Sequence, residues 1–149
     1  MKLDAQWITG FVDGEGCFHV SVNAHSGMTV GFQVLPEFTV VQHERDVALL
    51  HALKEFFGCG VVRTNHGDRM AFRVRGLSDL RERIVPFFVE YPLKSCKRIE
   101  FETLKTILEL MERGDHLTKE GIYRIRDIAG QMNRGRLRYS PALLETSGS

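Results

Sequence analysis

The sequence predicts an α+β domain in which a four-stranded antiparallel sheet is interleaved with helices, in the order helix, two strands, helix, two strands, helices. Three observations carry this prediction. A chain of 149 residues, 43% apolar and 26% charged, suits one domain with a sizeable core. Two pairs of segments alternate apolar and polar residues with period two, as half-buried strands do. Apolar residues recur at helical spacing before, between and after these pairs. The same composition excludes a disordered chain, a collagen-like fibre and a disulfide-stapled miniprotein. The apolar runs are far shorter than the roughly 20 residues of a membrane helix, and Met1-Lys2-Leu3-Asp4 lacks the layout of a signal peptide. Three cysteines (Cys17, Cys59, Cys96) with no CxxC pair fit a reduced, intracellular protein without a structural zinc site.

The elements follow in order. Asp4 is placed to cap a first helix through Gln6-Trp7-Ile8-Thr9-Gly10-Phe11-Val12. That helix is apolar nearly all round, so burial on every side is expected, with Gly14-Glu15-Gly16 supplying a C-terminal turn. In the first strand Phe18, Val20, Val22 and Ala24 alternate with Cys17, His19, Ser21, Asn23 and His25, and His25-Ser26-Gly27 makes a turn. The second strand, Val30 to Gln42, sets Phe32, Val34, Phe38 and Val40 against Gln33, Leu35, Glu37 and Thr39, and Pro36 marks an edge or a bulge. A helix from Glu44 to Phe57 turns Val47, Leu50, Leu53 and Phe57 inward and stops at Gly58. Val61–His66 and Arg69–Arg75 flank Gly67-Asp68, a hairpin signal. Helices are then expected from Ser78 to Phe88, from Ser95 to Arg113 closed by Gly114, and from Thr118 to Asn133. The last residues, 141–149, read as a flexible tail behind a domain of residues 1–140. No segment is repeated.

Net charge is only +1, but it is unevenly spread. Residues 1–58 carry three basic and seven acidic side chains, residues 59–100 nine and five, and residues 113–140 seven and three. Such asymmetry points to local anion-binding faces or, more plainly, to solvated surface. The outward strand faces favour the former. They carry His19, Ser21, Asn23, Gln33, Glu37, Thr39, Arg63, Asn65, Arg69, Arg73 and Arg75, the residue types that bond base edges and phosphates. Three arginines at alternating positions of one strand repel one another unless something anionic lies over them.

One segment carries chemistry. Ile8-Thr9-Gly10-Phe11-Val12-Asp13-Gly14-Glu15-Gly16 resembles the nine-residue motif of LAGLIDADG homing endonucleases, with Thr9 and Gly14 in place of the two alanines and Glu15 in place of the last aspartate. Pro36 to Gln42 looks like the second strand of that family, which ends in a polar active-site residue. Tyr91 to Arg98 looks like its basic segment after the fourth strand, and Thr118 to Gly135 is similar to the C-terminal helix of some members. The resemblance covers most of the chain and is to the single-motif, homodimeric type. It implies the order α-β-β-α-β-β-α, with the sheet shaped as a saddle over DNA.

The motif can also be read from its residues. Gly10 and Gly14 are spaced i, i+4, so they share a helical face on which another backbone can approach closely. That face, with Trp7 and Phe11, is expected at a two-fold dimer interface; alternatively the glycines pack against the chain's own strands. Two copies of Glu15 brought together would repel unless a cation lay between them, and hard oxygen ligands suit Mg²⁺. The resemblance adds the Gly14 carbonyl as a second ligand, Gln42 to position solvent, and Lys97 to stabilise charge at the phosphate, with Lys94 and Arg98 as alternates. Asp13 is assigned to capping or interface hydrogen bonding. Asn23, Gln33, Arg63, Arg69, Arg73 and Arg75 are the expected DNA contacts, with Arg134-Gly135-Arg136-Leu137-Arg138-Tyr139 either gripping flanking backbone or solvated.

The activity implied is Mg²⁺-dependent, site-specific hydrolysis of double-stranded DNA at a long pseudo-palindromic target, leaving 3′ overhangs. The gene would belong to a mobile intron or intein-like element, and the protein to an organelle (chloroplast or mitochondrion) or a prokaryotic cytoplasm. Neither a membrane nor an organic cofactor is expected. The alternatives are a nucleic-acid binder that does not cut, such as an RNA-splicing maturase or a transcription regulator, and a small-molecule-sensing dimer, which would need a concave apolar pocket.

Overall fold

The computed structural model describes residues 1–138, with side chains through Met132. The side chains of the basic stretch from Arg134 to Tyr139, and the tail at 141–149, lie outside the described residues.

The expected order is found. Helix α1 (Ala5–Glu15) leads into β1 (Gly16–Ala24) and β2 (Phe32–His43). A 3₁₀ turn at Glu44–Asp46 precedes α2 (Val47–Phe57), then come β3 (Val61–His66) and β4 (Arg69–Val74). The short α3 (Leu77–Asp79) passes through a π-helical turn at Leu80–Ile84 into α4 (Val85–Glu90), followed by α5 (Lys97–Glu112) and α6 (Lys119–Arg138). The π turn ends two residues before Pro86, whose ring has no N–H and collides with the carbonyl four residues back in a regular helix. The sheet is antiparallel in the order β1-β2-β4-β3.

The strand periodicity places the core. Phe18, Val20, Val34, Phe38, Val40, Phe72 and Val74 are buried on one face of the sheet. There their rings meet Phe57 of α2, Phe88 of α4 and Phe101 of α5, with centroids 5.1–6.3 Å apart. Tilted and edge-on ring pairs of this kind add to the gain from burial alone. The β1–β2 register runs unbroken from Gly16↔Val40 to Ala24↔Phe32, so Pro36, paired with Val20, sits in no bulge. Pairing of β2 with β4 begins only at Phe38, which leaves Pro36 where the other edge of β2 is still open. The bulge is elsewhere, between Thr64 and His66 of β3.

Two expectations about α1 need correction. Asp4 does cap it, its carboxylate accepting from Trp7 N at 3.1 Å. The helix is not buried on every side, however: Ile8, Thr9 and Val12 are buried, whereas Trp7, Gly10 and Gly14 are exposed. Nor do the glycines make a left-handed turn. Gly14 is helical, and Gly16 is extended at φ −81°, carrying the chain straight into β1. Gly16 is a glycine because of space: a Cβ there would lie 2.5 Å from Val12 Cγ1 and 3.0 Å from the Val12 carbonyl oxygen.

Candidate active site

The C-terminal end of α1 gathers residues from three parts of the chain. Glu15, its last residue, is exposed, and Gln42 near the end of β2 donates from Nε2 to Glu15 Oε2 at 3.3 Å. Antiparallel pairing explains the meeting: β1 leaves α1 at Gly16, and its partner β2 returns to Val40 beside it, two residues before Gln42. Two of the residues assigned to catalysis from sequence, 27 positions apart, are therefore in contact.

The third part is the basic segment before α5. Asp13 accepts from Lys94 N (3.0 Å), Ser95 N (2.9 Å) and Ser95 Oγ (2.8 Å), and the Asp13 carbonyl also takes the Ser95 hydroxyl at 3.1 Å. Ser95 Oγ in turn accepts from Lys97 N at 3.2 Å, at the first residue of α5. One turn earlier on α1, the buried Thr9 donates its hydroxyl to the Tyr91 carbonyl at 3.1 Å. The segment that delivers Lys94, Lys97 and Arg98 is thus tied to α1 through Thr9 and Asp13, spaced i, i+4. Partial burial pushes the Asp13 carboxyl up, but the bonds from Ser95 and Lys94, with the Lys94 charge, outweigh it and hold the group below the usual carboxylate range. Asp13 neither caps a helix nor bonds across an interface here; it ties α1 to the segment before α5, and nothing in the sequence marked Thr9 or Ser95 as its companions.

Among the described residues, nothing covers the opposite face of α1. Trp7 is 46% exposed and stacks on Phe11 with centroids 5.0 Å apart. A Cβ added at Gly10 or Gly14 would meet nothing within 4 Å. The glycines therefore do not pack against this chain's own strands. Glu15 stands at the end of this bare face and carries no ion pair among the described residues. No group of three or more His, Cys, Asp or Glu side chains gathers to hold a metal among the described residues. One chain offers the Glu15 carboxylate and the Gly14 carbonyl, which lies in the last turn and has no amide four residues on within the helix. These are hard oxygen donors, of a type that suits a small divalent cation but too few to enclose one.

The open face of the sheet carries the expected polar set. Asn23 pairs in register with Gln33 and His19 with Glu37; Thr39 stands opposite Arg73, which stands opposite Val61. Arg63, Arg69 and Arg75 are exposed, whereas Ala71, between Val41 and Arg63, is buried. Contrary to expectation, the arginines do not depend on an external anion alone, because Glu37 faces two of them. Its carboxylate lies 2.7 Å from Arg73 Nε and 3.6 Å from Arg75 Nε, and it accepts the Thr39 hydroxyl at 2.7 Å. The chain supplies part of the counter-charge itself. No described helix is long and apolar enough to cross a membrane.

Comparison with known proteins agrees with this geometry. Residues 8–108 match the family model described as LAGLIDADG endonuclease. The chain is 48% identical to the solved structure of a homing endonuclease, I-TnaI, superposing with a TM-score of 0.84 over 93% of this chain and 99% of that one. It is 35% identical to the I-SmaMI LAGLIDADG homing endonuclease bound to cleaved DNA, with a TM-score of 0.86 over 89% of this chain and 45% of that one. In sequence it is 36% identical over 120 residues to an uncharacterized 50.9 kDa protein in ND4 intron 1 of Podospora anserina, covering 78% of this chain and 26% of that protein. The chain spans about a quarter to a third of the length of the first three curated relatives it matches.

Proposed function

We propose, from the premise that the chain belongs to the LAGLIDADG endonuclease family, that two copies of it form a site-specific DNA endonuclease. The observation that carries this reading is the bare glycine face of α1 ending in Glu15. Two such faces packed about a two-fold axis would cover Trp7, Phe11, Gly10 and Gly14 and bring two Glu15 carboxylates to one spot. The solved I-TnaI chain, 99% of which this chain covers, is the precedent for a second copy as the partner of that face; in the I-SmaMI chain, 45% of which this chain covers, a further stretch of the same polypeptide could take its place.

The paired Glu15 side chains and Gly14 carbonyls would hold Mg²⁺. The chemistry supplied by such an ion would be activation of water and neutralisation of charge at the scissile phosphate. Gln42, already hydrogen-bonded to Glu15, orients solvent on the attacking side. Lys97, set at the start of α5 through Ser95 and Asp13, balances the charge that develops on the phosphate. The open sheet faces of both copies would lie in successive major grooves, with Asn23, Gln33, Arg63, Arg69, Arg73 and Arg75 in contact with bases or phosphates. The target is then long and pseudo-palindromic, cut on both strands with 3′ overhangs. A mobile intron of an organelle or of a prokaryote is the setting we infer; the relative from Podospora anserina is named for an intron.

The test is incubation of the protein with a plasmid library, with and without Mg²⁺. Breaks at defined sites that require Mg²⁺, and a Glu15→Gln protein that keeps DNA affinity but cuts at least about a hundredfold more slowly, are expected. A Glu15→Gln protein that cut normally would refute the mechanism. Retention of DNA or RNA by the wild type without breaks would favour the non-cutting reading as a maturase or regulator.

A further inference from the structure

We propose that Glu37 is a positioning residue that presets Arg73 to read a guanine edge, and so sets the sequence preference at one base pair of each half-site. This rests on the DNA-binding reading of the open sheet face. An acidic side chain in the middle of a surface meant for a polyanion lowers affinity for every sequence alike, so its presence needs a compensating gain. The geometry supplies one. Glu37 and Arg73 are each only 18% exposed and meet at 2.7 Å through Arg73 Nε, while the Thr39 hydroxyl, 2.7 Å from the same Glu37 oxygen, holds the carboxylate in place. Register puts the three together: Thr39 is paired with Arg73, and Glu37 is two residues back on the same face of β2.

Arg73 Nε lies against the Glu37 carboxylate in an ion pair, without a hydrogen bond between them, and the guanidinium presents its Nη1/Nη2 edge, on which Nη2 makes a long contact of 3.5 Å to Asn65 Oδ1. That edge is the fork that pairs with guanine O6 and N7 in the major groove. A supported arginine has fewer rotamers to lose on binding and a defined direction of approach, as supported ligands do at metal and catalytic sites. Arg63 and Arg69 differ: both are exposed, and among the described residues neither has an ion-pair partner. These suit phosphate contacts, which position the protein without reading sequence.

The experiment selects bound duplexes from a randomised DNA pool with the wild type, Glu37→Gln and Thr39→Val, and then measures affinity for selected and scrambled duplexes. Glu37→Gln should lose about tenfold of its preference for guanine at one position per half-site, the lower end of what a bidentate arginine contributes. Its affinity for scrambled DNA should stay equal or rise, because a negative charge has left the surface. Thr39→Val, nearly isosteric and uncharged, should relax the same position by less; it carries the test should Glu37→Gln fail to fold. Arg63→Ala should weaken binding to all sequences alike and lower the salt slope by about one. An unchanged preference in both variants, or an equal loss on every sequence, would overturn the role of Glu37 while leaving DNA binding intact. A wild type that selected no duplex would overturn the DNA-binding reading itself, and this proposal with it.

Discussion

Where α1 passes into β1, and on the helix face turned away from the strands, glycine stands for opposite reasons. At the junction, Gly16 is imposed by the chain itself, because Val12 occupies the space a side chain would need. On the outer face, Gly10 and Gly14 meet open space, and the folded chain places no demand on them. A glycine in a helix costs roughly 0.5–1 kcal/mol relative to alanine, so two of them beside an exposed, stacked tryptophan are a cost with no return inside one copy. The lesson is that the requirement lies outside the chain, in whatever packs on that face.

Substitutions that add a methyl group at either place sharpen this contrast. Gly16→Ala should be the most damaging, since the clash involves the Val12 backbone as well as its side chain; a loss of about 1–3 kcal/mol is expected in denaturant unfolding. An unchanged midpoint would mean that α1 and β1 do not meet as described. Asp13→Ala should come next. It removes the acceptor for two backbone amides and the Ser95 hydroxyl, at a cost of roughly 1–2 kcal/mol after allowance for its exposure to solvent. Cleavage should fall further than stability, because Lys97 loses its setting; equal kcat in the variant would detach Asp13 from the site. Gly14→Ala should be the mildest for the fold and opposite in sign, raising the stability of a dilute protomer by up to about 1 kcal/mol. In sedimentation at rising concentration the same variant should self-associate about tenfold more weakly, because close helix packing does not tolerate the added methyl. Unaltered association would place the interface elsewhere.

Much of the fold was legible in the residue pattern. The alternation of Phe18, Val20, Phe38 and Val40 gave the strand faces, Asp4 the start of α1, and Gly58 and Gly114 the ends of α2 and α5, both at positive φ. The π turn before Pro86 was not legible, because helical periodicity does not register one extra residue. At the site, Glu15, Gln42 and Lys97 were named through the motif and its flanking segments. The ties that hold them, Thr9 to Tyr91 and Asp13 to Ser95, span more than 80 residues and leave no local signature.

The sequence by itself determined the order of elements, the apolar faces and the carboxylate at the end of the first helix, because each depends on residues within a few positions of one another. Only the tertiary structure decided which side of α1 stays bare, that Glu37 answers the charge of Arg73 and Arg75, and that Asp13 anchors the basic segment. Those outcomes depend on which strands become neighbours and how closely their backbones approach, and the pairing of distant segments is set by the packing of the whole core rather than by any one stretch of the chain.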